Sequence, residues 1–400
     1  MDIFSAKKSY LGVDLGTSSV KIVELQDKSG RAILLNYGYV EQPTDIIRSS
    51  SREMEDQIVS IIKDIYKKSR LSSKRVVAAL PSFSVFSSVI SLPNMNKKDL
   101  AKAVQWEAKK FIPLPLEEMT LDWKIVPEKA PIKPIVVKGK TLASEKPAGN
   151  VGAPDTGPSE SETGQSFFNK FLNRSKYKSA ASAGVALKNN LKVLLTAAPK
   201  KIVERYIRIF RAAELELVSL ETEAFALERA LAGNDPTPIM IIDIGAVSAN
   251  ISISENNIPI LTRSIDVGGA SITKAIMTSL KVDIERAEQF KRDIGFSAVG
   301  PGGLPDTVKS AISPIINEIK YSIDIYLAQN PAQNKIEKII LTGGSAFLPE
   351  LVNYLSKLLD MKVVIGDPWD RVVYPLELKP VLSELGPRLA VAVGLAMREI

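Results

Sequence analysis

Two short segments of this 400-residue chain repeat each other and constrain its fold more than any other feature. The first reads DLGTSSVKI at residues 14–22, and the second reads DIGAVSANI at residues 243–251. Each follows an apolar run, places a glycine two residues after an aspartate, and returns to an apolar run, a pattern typical of two strands joined by a tight turn. Because the copies lie more than two hundred residues apart and each opens one half of the chain, they indicate a duplicated fold of two lobes.

Both turns carry chemistry that a hairpin does not require. Gly16 and Gly245 lack a β-carbon, so backbone amides can approach an oxyanion at these positions. Asp14 and Asp243, each at the end of a strand, would present carboxylates to a hydrated Mg²⁺, which prefers oxygen ligands. Lys21 would neutralise a phosphate from the returning strand. For either motif taken alone, an ordinary hairpin with solvated charges is the alternative.

A third glycine-containing turn follows an apolar run in the second half of the chain. Residues 336–351 read as a strand, then Gly343, Gly344 and Ser345, then a helix that opens near Pro349. A strand that runs into a double glycine at a helix N-terminus offers backbone against which a nucleoside can lie flat. Together with the two Asp-Gly turns, this segment predicts one nucleotide site between the lobes.

The composition excludes several classes of site and partner. The sequence has no Cys and no His, which removes disulfides, thiolate metal sites and the usual general base near neutral pH. The N-terminus lacks the apolar core of a signal peptide and no uninterrupted apolar run reaches about 18 residues, so the cytoplasm is expected. A formal charge of +7 is spread through amphipathic segments, and nucleic acid is not expected as a partner.

Strand-like and helix-like runs alternate along the chain, which predicts a mixed α/β architecture. The predicted domains are a first lobe (1–80 and 371–400, with part of 200–230), an inserted subdomain (81–200) and a second lobe (231–370). Residues 127–190 are rich in Pro, Gly, Ser and charge and are predicted to be a disordered insertion. Within it, the basic and Phe-rich stretch 166–178 would lie on an anionic membrane, on a partner or on its own domain, or form no stable structure.

A helix in the inserted subdomain carries an unusually placed tryptophan. The helix is predicted to begin after the N-cap Asn96 and to stop before Pro113. Its apolar stripe, expected in the core, consists of Leu100, Val104, Ala108 and Phe111. Trp106 lies off that stripe, between Lys102 and Lys110, where a large aromatic needs a second surface to cover it. That surface is either a partner or another element of the same subdomain.

The order of seven segments resembles the actin, hexokinase and heat-shock-chaperone superfamily, in its FtsA-like branch. These segments are DLGTSSVK, SLETEAFALERAL, DIGAVSANISI, DVGGASITKAI, AEQFKRDIG, LTGGSAFLPEL and PRLAVAVGLAMRE. Within that branch, residues 91–126 and the final AVGLAMREI resemble the PilM family of type IV pilus assembly. The resemblance implies an α/β, duplicated actin-like (ribonuclease H-like) two-lobed fold with a small inserted subdomain, and ATP and Mg²⁺ in the cleft between the lobes.

The resemblance also implies roles for individual residues. The loops would be the first phosphate loop (Asp14, Gly16, Thr17, Ser18, Ser19, Lys21), the second phosphate loop (Asp243, Gly245, Ala246) and the adenosine loop (Gly343, Gly344, Ser345). Glu288 and Lys291 share a helix face and would bind the ribose and the adenine edge, with a surface ion pair as the alternative. Glu223 would orient water or metal, and Asp14 and Asp243 would hold Mg²⁺ through water. Because Ala246 offers only its backbone amide, ATP binding is expected with at most slow hydrolysis.

The function implied by the resemblance is a cytoplasmic ATP-binding adaptor, peripheral to the inner membrane. Its partner would be the cytoplasmic N-terminal peptide of a PilN-like membrane protein, contacted near Trp106; other pilus platform proteins and self-association are further possibilities. Three other functions stay open: a filament-forming division protein like FtsA, a type II secretion platform component, and an ATPase or kinase of the same superfamily. The division protein is expected to carry a C-terminal membrane-binding helix after a flexible tail, whereas this sequence stops directly after the last motif.

Overall fold

A computed structural model describes residues 8–42, 47–49, 51–112, 114–126, 190–297, 304–329 and 335–400. Apart from Asn190, the predicted disordered insertion at residues 127–190 lies outside the described residues, and so does its basic stretch 166–178.

The described elements agree in type and order with the strand-like and helix-like runs of the sequence. The strands are β1 (Ser9–Leu15), β2 (Ser19–Asp27), β3 (Ala32–Glu41), β4 (Arg75–Leu80), β5 (Phe86–Pro93), β6 (Met119–Val126), β7 (Asn190–Pro199), β8 (Glu216–Thr222), β9 (Ile239–Ile244), β10 (Ala249–Glu255), β11 (Ile258–Ile265), β12 (Lys338–Thr342), β13 (Val363–Ile365) and β14 (Val372–Val373). The helices are α1 (Arg52–Lys68), α2 (Lys97–Phe111), α3 (Lys200–Ala212), α4 (Glu223–Leu227), α5 (Gly269–Leu280), α6 (Ile284–Asp293), α7 (Leu304–Gln329), α8 (Leu351–Leu359) and α9 (Lys379–Ala396).

Two large sheets and one small sheet organise these strands. Their strand orders are β14-β3-β2-β1-β4-β8, β11-β10-β9-β12-β13 and β5-β7-β6. In the first sheet, β1 pairs antiparallel with β2 and parallel with β4; in the second, β9 pairs antiparallel with β10 and parallel with β12. The two large sheets therefore repeat one arrangement around a central strand that ends at an Asp-Gly turn. The mixed α/β class and the duplication predicted from the sequence are confirmed.

Helix α9 packs against both large sheets. Its Ala390 shares a buried cluster with Val77 of β4 and Ile241 of β9. A β-carbon at Gly12 of β1 would lie 1.9 Å from the carbonyl oxygen of Ala392, so only glycine lets this strand and this helix approach so closely. Strands β1 and β9 are thus both packed against one helix, which fixes the positions of the two turns that follow them.

One helical stretch among the described residues is long and apolar enough to cross a membrane, by length and composition alone. It spans Leu376–Glu399, and its most apolar 18-residue window has a mean hydropathy of 1.2. However, 67% of that window is buried inside the fold, and it contains α9, whose residues form part of the core described above. The stretch is therefore interpreted as a core helix, a class that passes the same test.

The small sheet is covered on one face by α2. Asn96 caps this helix as predicted, since its Oδ1 accepts a hydrogen bond of 3.0 Å from the Asp99 amide. Leu100, Val104 and Ala108 are buried against β5 and β7. The prediction that Phe111 is also core is wrong, because the helix ends there and Ile112, in extended conformation, takes the buried position and leaves Phe111 45% exposed. Trp106 is 65% exposed, so the described elements leave most of its side chain uncovered.

Candidate functional site

A cleft of about 490 Å³ brings together the three turns predicted from the sequence. Its walls come from the β1–β2 turn, the β9–β10 turn, the turn after β12, and one face of α6. All of the predicted nucleotide-site residues line it: Asp14, Gly16, Thr17, Ser18, Ser19, Lys21, Glu223, Asp243, Gly245, Ala246, Glu288, Lys291, Gly343, Gly344 and Ser345. Trp106, the predicted partner residue, does not.

The two Asp-Gly turns have the same backbone geometry. In the first, the Gly16 amide donates to the Ser19 carbonyl at 2.9 Å; in the second, the Gly245 amide donates to the Ser248 carbonyl at 2.9 Å. The amides of the residues between them, 17–18 and 246–247, have no hydrogen-bond partner in the described part of the chain. Thr17, Ser18 and Ala246 line the cleft, so each turn leaves unpaired backbone N–H groups beside it, and such groups can bind phosphate oxygens.

A buried cluster of charges lies beneath these turns. The Lys21 ammonium pairs with Asp14 at 2.7 Å. Burial alone would lower the pKa of Lys21, but the neighbouring carboxyl groups, Asp14 first and then Asp243 and Glu223, together outweigh it and raise the pKa. Burial, reinforced by the negative charge of Asp14, raises the pKa of Glu223 to about 8. Burial also raises the pKa of Asp243 to about 6, against the opposing effect of Lys21. Three carboxyl groups thus share one cation.

This cluster fits a hydrated divalent cation. Extra positive charge would relieve the repulsion among the three carboxyl groups, two of which, Asp243 and Glu223, otherwise retain their protons to higher pH. Among the described residues, no three acidic side chains converge closely enough to bind a metal directly. A cation here would accordingly keep most of its waters, as Mg²⁺ does.

The sequence assigned a role to Glu223 only through the family resemblance. Its Oε2 accepts hydrogen bonds from Ser82 Oγ at 2.5 Å and from Asn250 Nδ2 at 2.9 Å. Ser82 follows β4 of the first sheet, and Asn250 belongs to β10 of the second. Neither partner was predicted. The signal for Asn250 was present in the duplication, because it follows Asp243 at the same interval at which Lys21 follows Asp14.

Another wall of the cleft is formed by α6, which carries the predicted pair Glu288 and Lys291. Lys291 bonds to Glu288 at 2.6 Å and to Thr273 of α5 at 2.8 Å, and Thr273 also donates to Glu288. These bonds outweigh the effect of burial and lower the pKa of Glu288. The pair is therefore a part-buried network on the cleft wall, with Ile284 and Arg292 exposed beside it.

The turn after β12 differs from its sequence-based description. The double glycine does not lie at a helix N-terminus, because α8 begins only at Leu351 and a series of turns intervenes. The helix that begins directly beside the second Asp-Gly turn is α5, where the Gly269 amide donates to the Gly245 carbonyl at 2.9 Å. Gly343 is required for another reason: its φ is +87°, and a β-carbon there would lie 2.3 Å from Asp243 Oδ1.

The raised carboxyl pKa values predict how stability depends on pH. An unfolded chain releases these protons near pH 4, whereas the folded protein retains them to about 6 at Asp243 and about 8 at Glu223. The nucleotide-free protein therefore becomes less stable as pH rises from about 4 to 8. Urea denaturation across this range should show the decline, and Glu223→Gln should flatten it.

A matched control for this experiment is Glu228→Gln. Glu228 is buried outside the cleft, and burial raises its pKa to about 7. The control should flatten the decline as well but leave nucleotide affinity unchanged. An unaltered pH dependence in Glu223→Gln would contradict the assignment of a raised pKa to that residue.

The comparison with known proteins decides the family. The sequence profile described as "Type IV pilus assembly protein PilM" matches residues 12–138 and 181–400. The chain belongs to the PilM family. The prediction of this family, made from residues 91–126 and the final AVGLAMREI, is thereby confirmed.

Relatives of this PilM-family chain agree on its fold. The cell division protein FtsA of Bacillus subtilis (strain 168) is 21% identical over 393 residues, which cover 90% of this chain and 78% of FtsA. A solved "PilM-PilN type IV pilus biogenesis complex" superposes with a TM-score of 0.70 at 24% identity, covering 97% of this chain and 98% of that one. The ethanolamine utilization protein EutJ of Carboxydothermus hydrogenoformans gives a TM-score of 0.50 at 14% identity, covering 98% and 89%. These neighbours support the two-lobed actin-like architecture.

Proposed function

We propose that this protein binds Mg·ATP in the cleft between its two large sheets and serves as an adaptor in type IV pilus assembly. One observation carries the nucleotide part of the proposal. Three turns and one helix face, distant from one another in sequence, converge on a single cleft whose free amides and buried charges suit a polyphosphate. Membership of the PilM family supports the assembly part.

Different residues of the cleft bind different parts of Mg·ATP in this proposal. The free amides of the two Asp-Gly turns bind phosphate oxygens, and Lys21 adds a point charge to the same region. Asp14 and Asp243 hold Mg²⁺ through its waters, and the ion neutralises phosphate charge. At the far end, Glu288 and Lys291 bind the nucleoside, with the backbone of Gly343–Ser345 opposite.

Hydrolysis is proposed to be slow at most. Glu223 is the carboxyl placed to orient a water molecule, but its pKa of about 8 leaves it mostly protonated at neutral pH, so it is a poor general base in the nucleotide-free state. Ala246 brings no hydroxyl to the second turn. Glu223 therefore positions water more readily than it activates it.

The partner surface is proposed to include the outer face of α2. Trp106 is the most exposed aromatic in this part of the fold at 65%, with the Lys110 ammonium 4.0 Å from its ring centroid, and Phe111 and Leu114 are exposed nearby in sequence. Large exposed aromatics are typical anchors of protein interfaces. The similar solved structure is a PilM-PilN complex, which supports a PilN-like partner, so the proposed location is the cytoplasmic side of the inner membrane.

Replacement of Trp106 tests the partner proposal. Trp106→Ala should weaken binding of a PilN-like cytoplasmic peptide by about 1 to 4 kcal/mol, the range for an interface anchor. Because the ring is exposed, folding stability and Mg·ATP affinity should not change. Fluorescence polarisation with labelled peptides from neighbouring pilus genes provides the measurement. The matched control is Tyr321→Ala, which removes a 45% exposed aromatic from α7, far in sequence from α2 and outside the small sheet it covers. Equal peptide affinity in both variants would refute the role of Trp106.

A filament-forming function is the second candidate, because FtsA of Bacillus subtilis aligns with most of the chain. Nucleotide-dependent sedimentation of the purified protein would favour it.

A secretion-platform role differs from the pilus role only in the partner peptide that binds. An ATPase or kinase role would appear as turnover stimulated by a substrate. Contacts with other platform proteins and with further copies of this chain belong to the same proposal.

A further inference from the structure

The duplicated turns are alike in backbone but differ at one pair of side chains. In the first turn, Asp14 on β1 lies directly across from Lys21 on β2. In the second, Asp243 on β9 lies directly across from Asn250 on β10. The position that carries an ammonium donor in one lobe therefore carries an uncharged amide in the other, and the two sides of the cleft differ in what they can bind.

Asn250 uses only one end of its amide within the protein. Its Nδ2 donates to Glu223 Oε2 at 2.9 Å. Its Oδ1 is buried and has no hydrogen-bond partner among the residues that the structure describes. Buried polar atoms are almost always satisfied, and Asn250 lines the cleft. The unsatisfied oxygen thus indicates that its partner arrives with the ligand.

The missing partner must be a hydrogen-bond donor. A carbonyl oxygen of an amide accepts only, so it cannot bond to a phosphate oxygen directly. A water molecule held by the phosphates or by their cation meets the requirement. Lys21 then donates to phosphate oxygens on one side of the cleft, and Asn250 accepts a hydrogen bond from a water on the other.

Asn250 also lies where the two large sheets meet. Glu223 Oε2 accepts from Ser82, which follows β4 of the first sheet, as well as from Asn250 of the second. The predicted nucleoside pair, Glu288 and Lys291, occupies α6 and contacts α5 instead. With the nucleoside at α6, as proposed, the phosphate chain would extend toward the two Asp-Gly turns and bring its terminal phosphate near Asn250, which lies across from Asp243.

From these contacts we infer that Asn250 is a positioning residue that distinguishes a nucleoside triphosphate from a diphosphate. Its Oδ1 accepts a hydrogen bond from a water that the terminal phosphate holds, and its Nδ2 fixes the side chain in place by donating to Glu223. The inference rests on the proposed nucleotide site.

Calorimetric titration with Mg·ATP and Mg·ADP tests this inference. In Asn250→Ala, the ratio of ATP affinity to ADP affinity should fall about three- to tenfold, the range for one hydrogen bond. In Asn250→Ser, which keeps a hydroxyl acceptor, the ratio should fall less. Ser82→Ala is the matched control, because it removes the other donor to the same Glu223 oxygen but no unsatisfied acceptor; its ratio should stay within about twofold of wild type. Melting temperatures without nucleotide verify that each variant is folded.

The outcomes separate this inference from the proposed function. If wild type binds neither nucleotide, the proposed function fails and this inference with it. If wild type binds both and the Asn250 variants keep the wild-type ratio, only the inference fails. Equal falls in the ratio for Asn250→Ala and Ser82→Ala would also overturn it, because the effect would then act through Glu223 alone.

Discussion

Lys21→Ala is expected to weaken ATP binding by about 1.5 to 3 kcal/mol, with or without Mg²⁺. This is the range for a hydrogen bond to a charged group, and Lys21 is the cation of the cleft's buried charge cluster. The same change leaves Asp14 buried without its partner. Loss of one member of a buried ion pair costs about 3 to 5 kcal/mol, so urea denaturation of the nucleotide-free protein should show a large loss of stability.

Asp14→Ala is the matched variant, since it removes the other member of the 2.7 Å pair. It should chiefly abolish the advantage that Mg²⁺ confers on ATP binding. Metal-free binding should be unchanged or slightly stronger, because a like charge has been removed from the phosphate site. Calorimetry of both variants with and without Mg²⁺ separates the roles. Should the metal advantage persist in Asp14→Ala, the role given to that carboxylate is wrong.

Gly343→Ala is expected to be the most damaging small substitution in the cleft. The new β-carbon would lie 2.3 Å from Asp243 Oδ1 and 2.6 Å from the Ile244 carbonyl oxygen, on a backbone with φ of +87°. Left-handed strain costs about 1 to 3 kcal/mol in a residue other than glycine, and overpacking costs typically about 1 to 3 kcal/mol more. Displacement of Asp243 should also remove Mg·ATP binding.

The neighbouring glycine provides the control. A β-carbon on Gly344 meets no atom within 4 Å, so Gly344→Ala should change the free energy of unfolding by less than about 0.5 kcal/mol. It should still weaken nucleotide binding, since the added methyl group enters the space proposed for the nucleoside. Urea denaturation and nucleotide titration of both variants distinguish these effects. Equal loss of stability in the two would show that the turn is not packed against Asp243 as described.

The sequence predicted what is local and repeated. The apolar runs around Asp14 and Asp243 have the periodicity of strands, and a glycine two residues later requires a turn, so both halves of the site could be found before the structure was known. The cap at Asn96 was equally predictable, because capping depends on neighbours within three residues.

Contacts between distant elements could not be found in this way. Ser82 and Asn250 both donate to Glu223 only because β4, α4 and β10 come together in space. Sequence periodicity does not predict such a contact. Helical spacing placed Phe111 in the core, but spacing does not show that the helix ends there and that Ile112 replaces it. The pattern after β12 predicted a glycine pair at the start of a helix. In the structure, Gly343 is required because a β-carbon there would collide with Asp243.

The central claim is that the three turns form one Mg·ATP site, and titration of nucleotide-free protein with Mg·ATP tests it most directly. At about one hundred times the dissociation constant, binding should stabilise the fold by about 2.7 kcal/mol. For a domain of this size class, about 2 to 4 °C per kcal/mol gives a rise in melting temperature of several degrees. Calorimetry should show one saturable site, and Lys21→Ala should weaken it. Absence of both heat and thermal shift with every adenine nucleotide, in protein shown beforehand to be nucleotide-free, would contradict the claim.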